Sequence, residues 1–165
     1  MEVNKYYIDF AKDILTALKL SATPNRISFL YAWMSGENTQ AKYNPLATTW
    51  NMITVDPKQT NFNFNNGYPV KNYGSKSIGL IATVNTLKNG YYPEIIKYLT
   101  LDQNIGVAST ALIMNLKLWG TGMLPITIYR SWPVSFKKKL MIGGGIGLGL
   151  AIATLIIIFR KKIFQ

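Results

Sequence analysis

Apolar residues recur at spacings of three and four over residues 7–18: Tyr7, Phe10, Ala11, Ile14, Leu15 and Leu18. That period places them on one face of a helix. A second helix is predicted from Thr23-Pro24, a hydroxyl cap followed by a proline at the first helical position. Its apolar face is Ile27, Leu30, Tyr31 and Met34, and Gly36 reads as its stop, with Glu37 immediately beyond. Helical periodicity then disappears between residues 44 and 73, where Asn, Thr and aromatic residues dominate. Thr49 to Val55 is predicted as a short strand. Thr60 to Tyr73 is predicted as a hairpin turning at Asn66-Gly67, between Phe62/Phe64 and Val70/Tyr73. Helices resume at Ser75 to Lys88, Pro93 to Leu99 and Val107 to Leu118. Residues 120–136, with Pro125 and Pro133, read as a connector whose Tyr129 and Trp132 suit a membrane interface.

Leu140 to Phe159 has a different character. It is 20 residues without a charge, with Thr154 its one polar side chain. A helix of that length spans ~30 Å, the thickness of a bilayer core. Gly143 and Gly147 fit the small-xxx-small spacing of helix–helix contacts. The N-terminal run lacks an apolar stretch, and Asp9 and Asp13 interrupt it, so no signal peptide is expected. The pattern therefore predicts an α+β domain over residues 1–122, a connector over 123–139, a transmembrane helix over 140–159 and a basic tail over 160–165. The expected location is that of a single-pass membrane protein with a C-terminal anchor.

Charge sharpens that picture. The formal net charge is +11, from 18 Lys+Arg against 7 Asp+Glu. Six of the cations (Lys137, Lys138, Lys139, Arg160, Lys161 and Lys162) bracket the apolar segment, where they suit lipid headgroups. The first 136 residues keep 12 basic residues against all seven acids, which is mildly basic. No Lys/Arg-rich helix stands out, and nucleic acid is not an expected partner.

With no His and no Cys, triads, Cys–His pairs and the common zinc sites are excluded, and so are disulfides. No metal or cofactor is expected. Acid–base chemistry falls to the carboxylates, Lys or Tyr. Glu2, Asp9, Asp13, Glu94 and Asp102 have ordinary roles at helix starts or in loops. Glu37 differs. A carboxylate at a helix C-terminus faces the negative end of the dipole, and Trp33 and Trp50 are expected to wall it off from water. Both effects raise its pKa toward that of a glycosidic general acid. The alternative is an exposed Glu in a helix-end loop. Asp56 is a possible second carboxylate, acting as nucleophile or as base for water. Its alternative is turn chemistry at Asp56-Pro57.

Several runs together resemble a family. Trp33-Met34-Ser35-Gly36-Glu37 is followed by Asn44-Pro45-Leu46 and Thr48-Thr49, then by Phe64-Asn65-Asn66-Gly67 and Val70-Lys71-Asn72-Tyr73. Gly79 to Thr83, Thr86 to Tyr91 and Trp119-Gly120-Thr121-Gly122 complete the series. In order and spacing, residues 24–122 resemble the lysozyme-like peptidoglycan hydrolases common in phages and their bacterial hosts. The resemblance implies a mostly helical lysozyme-like domain that cleaves the bond between N-acetylmuramic acid and N-acetylglucosamine, with peptidoglycan as partner. Glu37 matches the family's catalytic glutamate, and Asn44, Thr48, Thr49, Asn72 and Tyr73 match positions near the glycan groove. Phage lysozymes with an Asp nine residues after the Glu and a Thr six further on are not matched, because Leu46 and Met52 stand there. A single-acid lytic transglycosylase fits better. An inverting muramidase would need Asp56 as base. With the predicted anchor, the implied enzyme is associated with a virion membrane or host envelope and acts during genome entry or lysis. The competing expectation is a catalytically inactive glycan-binding or structural protein of a membrane-containing virion.

Overall fold

A computed structural model describes residues 2–63 and 69–143. Seven helices and two strands occur among them. They are α1 (Lys5–Ala17), α2 (Pro24–Glu37), β1 (Thr60–Asn63), β2 (Pro69–Asn72), α3 (Lys76–Lys88), α4 (Pro93–Thr100), α5 (Thr110–Trp119), α6 (Leu124–Ser131) and α7 (Val134–Gly143). A 3-10 turn, Ile105–Val107, precedes α5.

Two parts of the predicted fold class are corrected. The domain is mostly helical rather than α+β, because β1 and β2 form a single antiparallel pair of four-residue strands. In addition, no single helix among the described residues is long and apolar enough to cross a membrane. Leu140, the first residue of the predicted span, is fully buried in the protein core. It belongs to α7, which starts at Val134 and carries Lys137, Lys138 and Lys139 within it. Residues 144–159 of that span, Gly147 among them, lie outside the described residues, as do the basic tail and the Asn66-Gly67 turn.

The supposed connector is also part of the domain. Residues 124–143 fold as α6 and α7, and Ile126, Trp132, Phe136 and Leu140 enter the main core. Trp132 is therefore packed inside the domain rather than presented on its surface. Its ring meets those of Tyr31 and Phe136 at 5.5 and 5.1 Å, separations typical of favourable aromatic pairs.

Helix α2 is the hub. Phe29, Ala32 and Trp33 are buried as well as the predicted face of Ile27, Leu30, Tyr31 and Met34, so α2 is covered on all sides. Helices α1, α6 and α7 all pack on it. Thr23 caps its start by accepting from Arg26 N at 3.4 Å. The Arg26 guanidinium then reaches across to the carbonyls of Leu99 (2.6 Å) and Thr100 (2.9 Å), at the end of α4. Gly36 does not stop the helix. It lies in the last turn, where a Cβ would stand 3.3 Å from both Leu124 Cγ and Ile128 Cδ1 of α6. The stop is Asn38, left-handed at φ 41°. Helix α2 thus continues one residue past its expected end and takes Glu37 as its last member.

Thr49 to Val55 forms no strand. Side-chain amides take the backbone donors a ladder would use: Asn51 Oδ1 accepts from Ile53 N (3.0 Å), and Gln59 Oε1 from Met52 N (2.6 Å).

Candidate active site

Glu37 is half-buried at the C-terminus of α2. Its Oε1 accepts from Trp33 Nε1 at 3.1 Å, one helical turn back, and from Thr121 Oγ1. Trp33 Nε1 also lies 3.0 Å from Thr121 Oγ1, closing a three-membered network. Among the described residues both bonds to the carboxyl fall on Oε1, which leaves Oε2 to carry a proton. Burial raises the Glu37 pKa above the ordinary glutamate value, and the bonds from Thr121 and Trp33 oppose that rise without cancelling it.

Of the apolar wall expected behind Glu37, Trp33 is present and Trp119 stands in place of Trp50. Trp33 is fully buried, and Trp119 meets its ring edge-on at 4.8 Å. Tyr92 in turn packs on Trp119 at 4.8 Å. Trp50 belongs instead to a separate cluster with Met52, Tyr73 and Ala82.

Sequence alone assigns Thr121 no role, although Trp119-Gly120-Thr121-Gly122 is part of the resemblance. Helix α5 ends there because Gly120 is left-handed at φ 114° and the N–H groups of Thr121 and Gly122 both return to Leu116 O. That turn aims the Thr121 hydroxyl at Glu37. The Gly-Thr-Gly pattern after a helix is the available signal, since glycines on both sides of a hydroxyl mark a tight turn around it.

Asp56 does not face a groove. It is 2% exposed. Its Oδ1 accepts from Lys58 N at 3.2 Å and its Oδ2 from Gly74 N at 2.8 Å. These bonds lock the 52–59 loop to the end of β2, which is the turn role rather than the catalytic one. Gly74 serves the same lock, since a Cβ there would lie 2.5 Å from Asp56 Oδ1. Asp56→Asn is expected to cost about 1–3 kcal/mol of stability, because an amide nitrogen cannot accept from a backbone N–H. Thermal melts of the two proteins check this.

The remaining predicted residues divide between frame and surface. Asn44 is fully buried. Its Nδ2 donates to Thr48 O (2.8 Å) and Lys71 O (2.7 Å), while its Oδ1 accepts from Thr48 N (2.9 Å). Thr48 is buried and pairs its hydroxyl with that of Thr86 on α3. Both residues shape the loop, and the protein itself takes up these buried polar atoms. Thr49 is exposed. Tyr73 is almost fully buried, its hydroxyl donating to Trp50 O at 2.7 Å, and burial pushes its pKa up. Asn72 accepts from Lys42 N at 2.8 Å and donates to Thr60 Oγ1 at 3.1 Å.

Asn72 and Tyr73 also line an open cleft of about 490 Å³, with Gln40, Lys42, Lys58, Thr60, Phe62 and Gly74. Glu37 is not in this lining, but Gln40 and Lys42 stand on the loop that leaves it. Among the described residues no three acids gather as metal ligands. The arrangement offers one partly desolvated, oriented carboxyl group for proton transfer. No family model matches the chain, and neither does any curated protein or solved structure.

Proposed function

We propose that the chain cleaves peptidoglycan glycan strands as a lytic transglycosylase, with Glu37 as its single acid and base. The observation that carries this reading is the Trp33–Glu37–Thr121 network. It holds one carboxyl oxygen, leaves the other to bear a proton, and sits where burial favours the protonated form.

Glu37 would give its proton to the oxygen joining muramyl C1 to the next sugar. That C1–O bond breaks, and positive charge develops on C1 and the ring oxygen. The carboxylate then takes the proton of the muramyl 6-hydroxyl while O6 bonds to C1. The product is a 1,6-anhydromuramyl end, Glu37 is again protonated, and no water is consumed.

The rest of the acid inventory favours this over water attack. Leu46 stands where phage lysozymes carry a second carboxylate. It is fully buried, with Trp119 Nε1 on its carbonyl at 2.9 Å. Asp9, Asp13 and Glu94 pair with Lys5, Lys76 and Lys97. Asp102 accepts from Thr23, Asp56 is locked in its turn, and Glu2 is exposed ahead of α1. Asp56→Asn is therefore expected to keep cleavage within about threefold of wild type, whereas loss of a true general base costs about 10²–10⁴-fold. Turnover of purified peptidoglycan separates the two.

Thr121→Val removes one of the two bonds that hold the Glu37 pKa down. The acid then stays protonated to higher pH, so the alkaline limb of the rate profile should move up. The maximum rate should fall, because the carboxyl has lost half of its positioning. An unchanged alkaline limb would show that Thr121 does not act on Glu37.

A further inference from the structure

The cleft beside the Glu37 loop has a charge pattern that a neutral sugar does not require. Lys42 and Lys58 both line it, one on the loop after α2 and one on the loop before β1. Neither has an ion-pair partner among the described residues. Lys42 Nζ sits 5.4 Å from the Tyr43 ring centroid, and Lys58 is exposed. The neighbouring Lys71 is engaged elsewhere: its Nζ donates to Asn61 Oδ1 at 2.7 Å across the β1–β2 pair. The nearby acid is Asp56, whose two oxygens are taken by the Lys58 and Gly74 N–H groups. Thr60 and Asn72 add polar atoms to the wall, and Phe62 and Tyr73 add apolar surface. Two lysines on the lining of a concave site of this size suit a small anion carried on a larger, partly apolar ligand.

We infer that this cleft binds a carboxylate of the peptide stem carried by the glycan strand, with Lys42 and Lys58 as its two cationic contacts. The inference rests on the proposed glycan substrate and adds the part of it that would be read beside the cut. A neutral glycan would pass Glu37 but leave the two lysines unmatched. A stem with free carboxylates would fill the cleft and hold its strand in register along the loop that leads to Glu37. Asn72, fixed between Lys42 N and Thr60 Oγ1, ties the two sides of the cleft together.

The test is co-sedimentation of the full chain with purified sacculi, performed on the Glu37→Gln background so that strands stay intact. Sacculi are used whole or stripped of phosphate-bearing wall polymers, and chitin serves as the neutral, peptide-free glycan that still sediments. Lys42→Gln/Lys58→Gln is compared with Lys19→Gln/Lys88→Gln, which removes the same charge from exposed positions outside the cleft. The expected result is about tenfold weaker binding of the cleft variant to stripped sacculi, with a shallower salt dependence than the control. On chitin the two variants should bind alike. Equal binding of both variants to stripped sacculi would overturn the inference. So would a difference that vanishes when the phosphate polymers are removed, which would assign the lysines to phosphodiesters. Absence of cleavage by the unmodified chain would count against the Glu37 reading alone, since the binding comparison does not depend on it.

Discussion

Glu37→Gln is expected to abolish glycan cleavage while leaving the fold more stable than wild type at neutral pH. The amide keeps an oxygen for Trp33 Nε1 and Thr121 Oγ1, so the network's geometry survives. What disappears is the transferable proton. Loss of a general acid costs about 10²–10⁴-fold in rate, and here the same group must also return as the base, so the loss should lie at the upper end.

The stability effect has a definite sign. The folded-state pKa of Glu37 is raised above its unfolded value. Folding therefore binds a proton at this site, and the site's contribution is fully present below the unfolded pKa. It is lost as pH rises through the folded pKa, where the charged form is penalised by burial. Gln carries no such penalty. The variant should melt above wild type at pH 7, and the two should converge in acid. Wild type melting higher at pH 7 would show that the ionised carboxylate is stabilised where it sits.

Gly79→Ala is expected to be the most damaging glycine-to-alanine substitution among the described residues. A Cβ at this position of α3 would lie 1.9 Å from Tyr43 O and 3.0 Å from Tyr43 C. Those are backbone atoms, and no rotamer can move them aside. The Tyr43 residue is already left-handed at φ 56°, and the next residue is the buried Asn44 that clamps the loop to Thr48 and Lys71. Either α3 or the 41–48 loop must shift. Overpacking of this kind costs about 3 kcal/mol or more, which for a chain of this size lowers the melting temperature by roughly 10 °C. Gly90→Ala is the control. Gly90 is left-handed at φ 92°, but nothing lies within 4 Å of where its Cβ would stand, so conformational strain alone should cost about 1 kcal/mol. Similar melts for the two variants would refute the steric explanation. Because the same loop carries Lys42, Gly79→Ala should also weaken sacculus binding beyond what partial unfolding explains.

The helices are legible in sequence where burial is one-sided. Helix α1 has a clean stripe, and its buried Phe10, Ala11, Ile14 and Leu15 belong to that stripe. Caps are legible as well: Thr23-Pro24 opens α2 and Pro93 opens α4. Helix α2 is less legible because a helix covered on all sides has no polar face to define its period. Gly36 is ambiguous because glycine signals two different things, a left-handed stop or a close approach. Here the approach to Leu124 and Ile128 of α6 decides it, and the prolines around α6 disguise that helix as a connector. Pro125 lies in the first turn of α6, where proline starts a helix rather than breaking one. The apolar run from Leu140 cannot reveal that its first residue packs into a globular core, since long apolar stretches look alike whether lipid or protein covers them.

At the candidate site, Glu37 stands out by its position at a helix end beside Trp33, both of which are local in sequence. Thr121 does not, because it is 84 residues away and reaches Glu37 only through the turn after α5. Asn44 and Thr48 match a pattern whose physical content is loop construction: their polar atoms are consumed by the backbone of Thr48 and Lys71 and by Thr86. Residue matching cannot separate such framing positions from ligand contacts, because both kinds tolerate little change. Their burial does separate them.

The most direct test of Glu37 as the single acid and base is mass spectrometry of the ends that the full chain produces on purified peptidoglycan in H₂¹⁸O. The expected products are 1,6-anhydromuramyl ends without solvent oxygen, formed by the wild-type chain and by Asp56→Asn but not by Glu37→Gln. Reducing muramyl ends carrying ¹⁸O would contradict that mechanism in favour of water attack, and no new ends at all would contradict glycan cleavage itself.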